Sequence, residues 1–159
     1  MKLALILWLA HVLPQQVADP MCLATTVYLE ARGQPAIGQQ AIAEVALRRR
    51  DSGTWGPSVC DVVTAPGQFA MTTLNPANRL ADPRAFYAAL RNAIAVQREW
   101  AKPTGQRREV VPGANHFAAR SGDDPAWPRS RLVAVIGDQN FYTVGRIGIG
   151  HSKAGHPQP

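Results

Sequence analysis

The chain has 159 residues, 46% of them hydrophobic and 18% charged, so it is long enough for one domain with its own core and is neither a disordered tail nor a coiled coil. Its 17 Lys and Arg residues against 11 Asp and Glu give a net charge of +6, which favours a polyanionic partner such as nucleic acid, an anionic membrane or a bacterial wall. No apolar run reaches the roughly eighteen residues of a stable membrane span, which excludes a multi-pass membrane protein.

The N-terminus has the layout of a secretory leader. Met1-Lys2 is a short basic start, and residues 3–13 are mostly apolar. The alternative is an ordinary first helix packed on the domain, because His11 interrupts the apolar stretch and no clear cleavage site follows it. We expect residues 1–18 to be a signal or anchor segment that contacts the membrane transiently and directs the protein to the periplasm or cell wall.

Helix signals dominate the chain up to Trp100. Asp19-Pro20 predicts a helix start, with Asp as the N-cap and Pro in the first turn, and Gly33 then ends this helix. The same signal at Asp82-Pro83 predicts the start of a long helix that ends near Trp100. Between these two helices, helical patterns cover residues 36–50 and 58–64.

Sequence rich in β-formers appears only near the C-terminus. It covers residues 131–136 and 141–144, and the polar residues 137–140 between these runs predict a hairpin. Helices followed by one small sheet indicate an α+β fold. We expect residues 19–145 to form the folded domain and residues 146–159 to form a loose tail.

Glu30 stands out in the first predicted helix. It shares one stripe with Leu23, Thr26 and Val27, at i, i+3, i+4 and i+7, which places its carboxyl group on the apolar side. Burial and the negative end of the helix dipole both favour a retained proton near neutral pH, which suits a general acid. The alternative is that Arg32 or another arginine neutralises the carboxylate, and helical geometry alone does not separate the two.

Five ordered motifs carry a resemblance to a known family. They are YLEARGQPAIGQQAIAEVALRRR at 28–50, PSVCDVV at 57–63, PGQFA at 66–70, GANHF at 113–117 and VIGDQNFY at 135–142. Together they resemble the SleB-like cell wall hydrolases, which include spore cortex-lytic enzymes and phage endolysins. The resemblance covers about residues 21–142, nearly the whole predicted domain.

The resemblance implies a mostly helical, lysozyme-like domain, similar to lytic transglycosylases, that cuts the glycan strand of peptidoglycan. The catalytic glutamate of the family's EARG motif corresponds to Glu30. The QF and ANHF segments imply a groove wall, and loop and hairpin aromatics add to the substrate-binding candidates: Gln68, Phe69, Asn115, His116, Phe117, Trp127 and Tyr142. The chain departs from the family pattern at three positions. Relatives carry Asn at the position of Arg48, Ser or Thr at that of Ala70, and often an aromatic residue at that of Ala118.

Trp55 and Trp127 both lie in predicted loops. Tryptophan side chains in such positions stack on sugar rings in a groove or pack in the structure of the domain. The sequence leaves these two roles equally open for both residues.

The available carboxylates bear on the mechanism. Direct glycoside hydrolysis normally needs two, about 5–5.5 or 6.5–9.5 Å apart. Glu44 is explained as a solvated helix pair with Arg48, and no partner for Glu30 stands out among Asp51, Asp61, Asp123, Asp124 and Asp138. A lytic transglycosylase needs only one carboxyl group, because the muramic C6 hydroxyl is the nucleophile. We therefore expect 1,6-anhydro-N-acetylmuramic ends and no cofactor, with muramidase-type hydrolysis of the same bond as the alternative.

Two other functions fit part of the sequence. A zinc amidase or peptidase would draw its ligands from His116, His151, His156 and Asp123, although no HExxH motif is present. A basic module that binds nucleic acid or lipopolysaccharide would use the arginine clusters at 48–50 and 107–108, which lack interleaved aromatic residues. We expect instead a monomeric enzyme whose partner is peptidoglycan and not nucleic acid, in the role of a phage endolysin.

The two cysteines, Cys22 and Cys60, are too few for a four-ligand zinc site and do not form a CxxC pair. In an exported protein we expect them to form a disulfide that joins the helix of Glu30 to the short helix before Gln68. In a cytosolic protein the same residues would be two buried free thiols.

Overall fold

The computed structural model describes residues 3–73, 80–122 and 126–145, and in these ranges the chain forms a mostly helical domain with one small antiparallel sheet. The helices are α1 (Leu3–Val12), α2 (Gln15–Ala31), α3 (Ala36–Asp51), α4 (Val59–Thr64) and α5 (Pro83–Trp100). The strands are β1 (His116–Ala119), β2 (Ser130–Ile136) and β3 (Gln139–Val144). The predicted α+β class is confirmed, and the predicted loose tail, 146–159, lies outside the described residues.

Helix α2 is the central element of the domain. Every side chain from Cys22 to Tyr28 is buried, and the helix packs against α1, α3, α4 and α5. This middle stretch has no solvent face, which explains its run of small and apolar residues. The last turn of this helix carries Glu30, so the surrounding helices fix the position of that residue.

The predicted start of α2 at Asp19-Pro20 is wrong, because the helix begins at Gln15 and both residues lie inside it. The buried Asp19 carboxylate instead accepts the backbone N–H of Val59, 2.9 Å away. Val59 is the first residue of α4, where backbone N–H groups lack intrahelical partners. Asp19 therefore caps a helix that lies 40 residues later in the chain, at the cost of one hydrogen bond missing at Pro20.

The other helix starts follow local signals and are close to those predicted. Ser58 and Asp61 form a capping box at the start of α4. The Asp82 side chain accepts the N–H of Ala85 at 3.0 Å, and Pro83 is the first residue of α5.

The sheet has the strand order β1-β3-β2, with antiparallel pairs throughout. The predicted hairpin is confirmed, and its turn is only Gly137-Asp138, since Ile136 pairs with Gln139. Gly137 has φ +57°, and a Cβ there would collide with the Gln34 side chain. The turn docks on the α2–α3 connection, where Asp138 N–H donates to Gln34 Oε1 at 3.0 Å.

The predicted helix pair of Glu44 and Arg48 is present, but the prediction that it is solvated is wrong. The Glu44 carboxylate is buried and accepts the backbone N–H groups of Val110 (2.6 Å) and Val111 (2.9 Å). Arg48 stands 3.9 Å from Glu44 and bonds to Glu109 at 2.7 Å. Burial raises the pKa of Glu44. Through its two backbone hydrogen bonds, this carboxyl group joins the segment after α5 to α3.

The predicted disulfide is confirmed. Cys22 on α2 and Cys60 on α4 are bonded, with their Cα atoms 5.3 Å apart. The bond joins the helix of Glu30 to the helix that precedes the Gln68 segment.

Residues 3–12 of the predicted leader form helix α1. Ile6 and Ala10 pack inward, whereas Leu5, Trp8 and Val12 are exposed. Among the described helices, none combines the length and the apolar character that crossing a bilayer requires. The assignment of residues 1–18 to export stays a prediction.

Replacing Glu44 by Ala should destabilise the domain. Two buried backbone N–H groups would lose their acceptor, at a cost of about 1–3 kcal/mol each in the free energy of unfolding. Urea denaturation measures the change, with Glu99→Ala as the control, because the bonds of Glu99 to Lys102 and to the Arg108 N–H are both exposed to solvent. A Glu44→Ala protein as stable as the Glu99→Ala control would contradict the buried role.

Reduction of the Cys22–Cys60 bond should lower the free energy of unfolding by about 3–4 kcal/mol, because it releases a loop spanning 38 positions in the unfolded chain. Activity at low temperature should change little, since neither sulfur belongs to the candidate site. Denaturation with and without reductant measures the effect, and a Cys22→Ala/Cys60→Ala variant should not respond to reductant. Two titratable thiols in unfolded protein prepared without reductant would refute the bond.

Candidate active site

Glu30 lies at the last turn of α2, half-buried, with Leu23, Thr26 and Val27 of its stripe fully buried beneath it. Its Oε1 accepts the backbone N–H of Ala70 at 2.6 Å. Its own peptide oxygen accepts a hydrogen bond from Gln139 Nε2 at 3.0 Å. The carboxyl group is thus held by the segment after Phe69 and the backbone by strand β3.

The electrostatics of Glu30 follow the prediction in direction. Burial raises the pKa of this carboxyl group, and the Ala70 N–H and the charge of Arg49 oppose that rise. Of the arginines that the alternative allowed, Arg32 places its guanidinium 5.8 Å from the centre of the Tyr28 ring, on the surface. The cation that acts on Glu30 comes from α3.

Arg49 is that cation, and only 6% of it is exposed. Its Nε donates to the carbonyl of Asn115 at 2.9 Å, and its Nη1 donates to the Gln68 carbonyl (2.9 Å) and Oε1 (3.3 Å). Its guanidinium also lies 4.8 Å from the centre of the Phe69 ring. Burial lowers the pKa of Arg49 to about 10, so the charge persists at neutral pH. One side chain therefore brings both predicted wall segments to the helix end that carries Glu30.

His116, Trp127 and Tyr142 form one aromatic cluster at the start of the sheet. The centre of the Trp127 ring lies 4.8 Å from that of His116 and 5.5 Å from that of Tyr142. Burial and the charge of Arg49 lower the pKa of His116 to about 4, so the imidazole is neutral at pH 7. The structure thus brings together three of the predicted substrate-binding side chains.

Phe69 and Phe117 face the other way, into the core. Phe69 is 5% exposed, and the centre of its ring lies 5.9 Å from that of Phe117. Phe117 in turn packs 6.3 Å from Phe141. Phe69 therefore supports the wall from inside and offers little surface to a ligand, whereas Phe117 is only partly buried.

The described carboxylates that were candidates for a second acid are held in structural bonds. Glu44 binds two backbone N–H groups, Asp61 closes the capping box, Asp51 accepts from Trp100 Nε1 at 2.7 Å, and Asp138 binds Gln34. Asp123 and Asp124 lie outside the described residues. None of these described groups is placed beside Glu30 by a hydrogen bond.

The two competing functions gain no support from the described part of the chain. There, no group of three or more His, Cys, Asp or Glu side chains is placed to hold a metal ion. The other predicted zinc ligands, His151, His156 and Asp123, lie outside the described residues. The arginine cluster 48–50 is not a surface patch, because Arg49 is buried and Arg48 bonds to Glu109 and to the Ala114 carbonyl.

Two of the three departures from the family pattern have a structural explanation. Arg48 also stacks 5.2 Å from the centre of the Trp100 ring, so it braces the end of α3. Ala70 contributes its backbone N–H to Glu30, a contact that needs no side-chain hydroxyl. Ala118 is half-buried in β1, and nothing in the structure explains its small size.

The sequence reasoning missed Gln139, which holds the backbone of Glu30, and the part that Arg49 plays in the site. Gln139 lies within the VIGDQNFY motif, so the family resemblance marked its position but gave it no role. Arg49 corresponds to the helix-end arginine of the family pattern, but the sequence assigned it no part in the site. The burial of a helix face decides which of the arginines at 48–50 points inward, and the run alone does not show this.

Comparisons with known proteins agree with this geometry. The sequence profile of a family described as Cell Wall Hydrolase matches residues 33–142, more than half of the chain, and begins just after Glu30. A spore cortex-lytic enzyme from Oceanobacillus iheyensis is 32% identical over 108 residues, which are 68% of this chain and 29% of the relative. Another, from Halalkalibacterium halodurans, is 39% identical over 69 residues, 38% of this chain and 21% of the relative. The chain thus spans less than a third of these curated relatives.

Two solved structures share the fold. The catalytic domain of the germination-specific lytic transglycosylase SleB from Bacillus anthracis aligns with a TM-score of 0.61 and 22% identity, covering 77% of this chain and 92% of that one. The catalytic domain of the Bacillus cereus SleB protein aligns with a TM-score of 0.59 and 24% identity, covering 77% and 88%. The predicted fold and the predicted resemblance are both confirmed.

Glu30→Gln should be at least as stable as the wild type at pH 7. Because the pKa of Glu30 is raised above 4.5, the folded protein binds this proton more tightly than the unfolded chain does, and stability falls as the pH rises through that raised value. Gln cannot ionise and keeps an oxygen for the Ala70 N–H, so the advantage of the variant should vanish towards pH 4.

Urea denaturation of both proteins between pH 4 and pH 8 tests this expectation. Glu99→Gln is the control, because Lys102 lowers the pKa of Glu99 and the pH trend has the opposite sign. A Glu30→Gln protein that is less stable than the wild type at pH 7 would show that the carboxylate is a structural anion.

Proposed function

Since this chain belongs to the cell wall hydrolase family, we propose that it cuts the bond between N-acetylmuramic acid and N-acetylglucosamine in peptidoglycan as a lytic transglycosylase. The observation that carries the proposal is the half-buried Glu30, whose raised pKa suits a proton donor and whose Oε1 is fixed by the Ala70 N–H. The Bacillus anthracis protein that shares the fold is a lytic transglycosylase, the same type of enzyme.

The hydrogen bond from Ala70 selects which oxygen of Glu30 carries the proton. An N–H donor pairs with an unprotonated oxygen, so the proton of the neutral acid resides on Oε2. In the first step Oε2–H gives its proton to the bridging glycosidic oxygen, and the bond from that oxygen to muramic C1 breaks. N-acetylglucosamine leaves with a free C4 hydroxyl.

In the second step Glu30 acts as the base. The muramic C6 hydroxyl bonds to C1 through its oxygen and loses its proton to the Glu30 carboxylate, which restores the starting acid. The product is a 1,6-anhydromuramic end, and no water enters. Because the nucleophile belongs to the substrate, its effective concentration is high without a second carboxylate to activate water.

Both protonation states of Glu30 need stabilisation in this cycle. Burial favours the neutral acid before the first step. Between the steps, the charge of Arg49 and the Ala70 N–H stabilise the carboxylate. Burial is the largest of these influences, so the pKa of Glu30 is raised on balance, which favours the protonated acid that the first step needs.

We also propose that the protein acts outside the cytoplasm, in the role of an endolysin that releases phage from its host. The leader-like residues 1–18 and the Cys22–Cys60 disulfide, a bond that persists in oxidising compartments, support this location. The substrate supports it too, because peptidoglycan lies beyond the inner membrane.

Glu30→Gln should retain the fold and lose roughly 10²–10⁴-fold in activity, towards the upper end because one group serves both proton transfers. Dye release from labelled peptidoglycan measures the rate, and circular dichroism checks the fold. Asp138→Asn is the matched control, since its carboxylate only docks the hairpin turn on Gln34. A folded Glu30→Gln protein that releases dye at a near-normal rate would refute the assignment of Glu30 as the catalytic acid.

Residues 1–18 fused to a reporter that is active only in the periplasm should give a signal in a Gram-negative host. The same fusion with Leu9→Arg, which breaks the apolar stretch, should give none. The fusion does not depend on whether α1 is needed for folding. A reporter that stays inactive with the unaltered segment would contradict export by this route.

A further inference from the structure

A pocket of about 290 Å³ lies between the end of α3, the loop after it, and the entry into β1. Arg49, Trp55 and His116 are among its lining residues, so it shares Arg49 with the environment of Glu30. Its volume is at the lower end of small-molecule sites, which suits a single sugar ring.

Trp55 forms the apolar side of this pocket. Its indole is part-buried, packs on the core, and lies 5.9 Å from the Arg49 guanidinium. A tryptophan fixed on one side and open on the other presents the flat face on which pyranose rings and acetamido methyl groups pack. The loop residue left undecided by the sequence is therefore both part of the structure and part of a pocket wall.

His116 supplies a hydrogen-bond acceptor, and its tautomer follows from its neighbours. Val144 N–H donates to Asn115 Oδ1 (2.8 Å), and Asn115 Nδ2 donates to the Val144 carbonyl (2.9 Å), which fixes the amide orientation. His116 Nδ1 lies 2.8 Å from Asn115 Oδ1 and must donate to it. In the neutral ring Nε2 is then a bare acceptor, with no partner among the described residues.

The charge around the pocket is positive. Arg48 and Arg49 both line it, and its described lining contains no carboxylate. Arg48 is paired with Glu109, so the charge that faces a ligand is that of Arg49, whose hydrogen-bond partners are neutral oxygens. A ligand cation would be repelled by this charge, whereas a neutral N–H donor would meet the Nε2 acceptor.

We infer that this pocket is a glycan subsite that selects N-acetylated over free-amine sugars, with Trp55 as the stacking face and His116 Nε2 as the acceptor for the acetamido N–H. The inference rests on the proposed function, since it assumes a glycan substrate. An acetamido group offers a methyl to Trp55 and an N–H to His116. The ammonium of a de-N-acetylated sugar lacks the methyl and faces the arginine charge.

Oligosaccharide binding to the Glu30→Gln protein tests the subsite without any turnover. Calorimetry at pH 6 compares N-acetylglucosamine oligomers with glucosamine oligomers of the same length. We expect only the acetylated series to bind, Trp55→Leu to weaken that binding about tenfold, and His116→Phe, which keeps an aromatic ring beside Trp127, to weaken it about three- to tenfold, as the loss of one hydrogen bond implies.

Two controls keep the outcomes distinct. Tyr87→Leu removes an exposed aromatic side chain on α5 and should leave binding unchanged. Trp55→Phe keeps a ring on the core, so an intermediate affinity for it separates loss of the stacking face from loss of folding. The ¹⁵N signal of His116 Nε2 should shift when the acetylated oligomer binds.

The failures are also distinct. Unchanged affinity in both Trp55→Leu and His116→Phe, or equal binding of acetylated and free-amine oligomers, would overturn the subsite and leave the proposed function standing. An absence of binding by both oligomer series, together with intact peptidoglycan after incubation with wild-type protein, would refute the subsite and the proposed function together.

Discussion

The burial of the Arg49 guanidinium is the constraint on which the candidate site depends. A charge that is only 6% exposed must be matched by acceptors, and the chain supplies the carbonyl oxygens of Asn115 and Gln68 together with Gln68 Oε1. Meeting that demand draws the loop before Ala70 and the entry into β1 onto the end of α3. The Ala70 N–H is thereby placed against the carboxyl group of Glu30. Lysine, with one compact ammonium, could not satisfy three acceptors from two segments in this fixed geometry.

Burial also explains why the pKa values of Arg49 and Glu30 shift in opposite directions. Desolvation lowers the pKa of Arg49 to about 10 and raises the pKa of Glu30, while their mutual attraction opposes both changes. With a pKa of about 10, Arg49 stays charged at neutral pH, so Glu30 is the one of these two groups that can exchange a proton there. Burial and, to a smaller degree, the charge of Arg49 keep His116 neutral, so its imidazole can accept a hydrogen bond at neutral pH.

Features governed by neighbouring residues could be predicted from the sequence, and features governed by distant partners could not. The Asp82 cap and the Gly137 turn obey local rules, and the stripe from Leu23 to Glu30 revealed a carboxyl group on a buried face. Asp19 and Glu44 were misread because their partners are Val59 and the 110–111 backbone, 40 and 66–67 residues away. In both cases the neighbouring residues suggest a local role, as a helix cap or as an i,i+4 ion pair. Only the folded chain shows that each carboxylate binds the backbone of another element.

The central claim is that one carboxyl group and a nucleophile within the substrate suffice, and the products of digestion in H₂¹⁸O test it most directly. Mass spectrometry of the released fragments should show 1,6-anhydromuramic ends without ¹⁸O, because no water takes part in the cleavage. Reducing N-acetylmuramic ends that carry one ¹⁸O would contradict the account, since they would require an activated water and a second catalytic group beside Glu30.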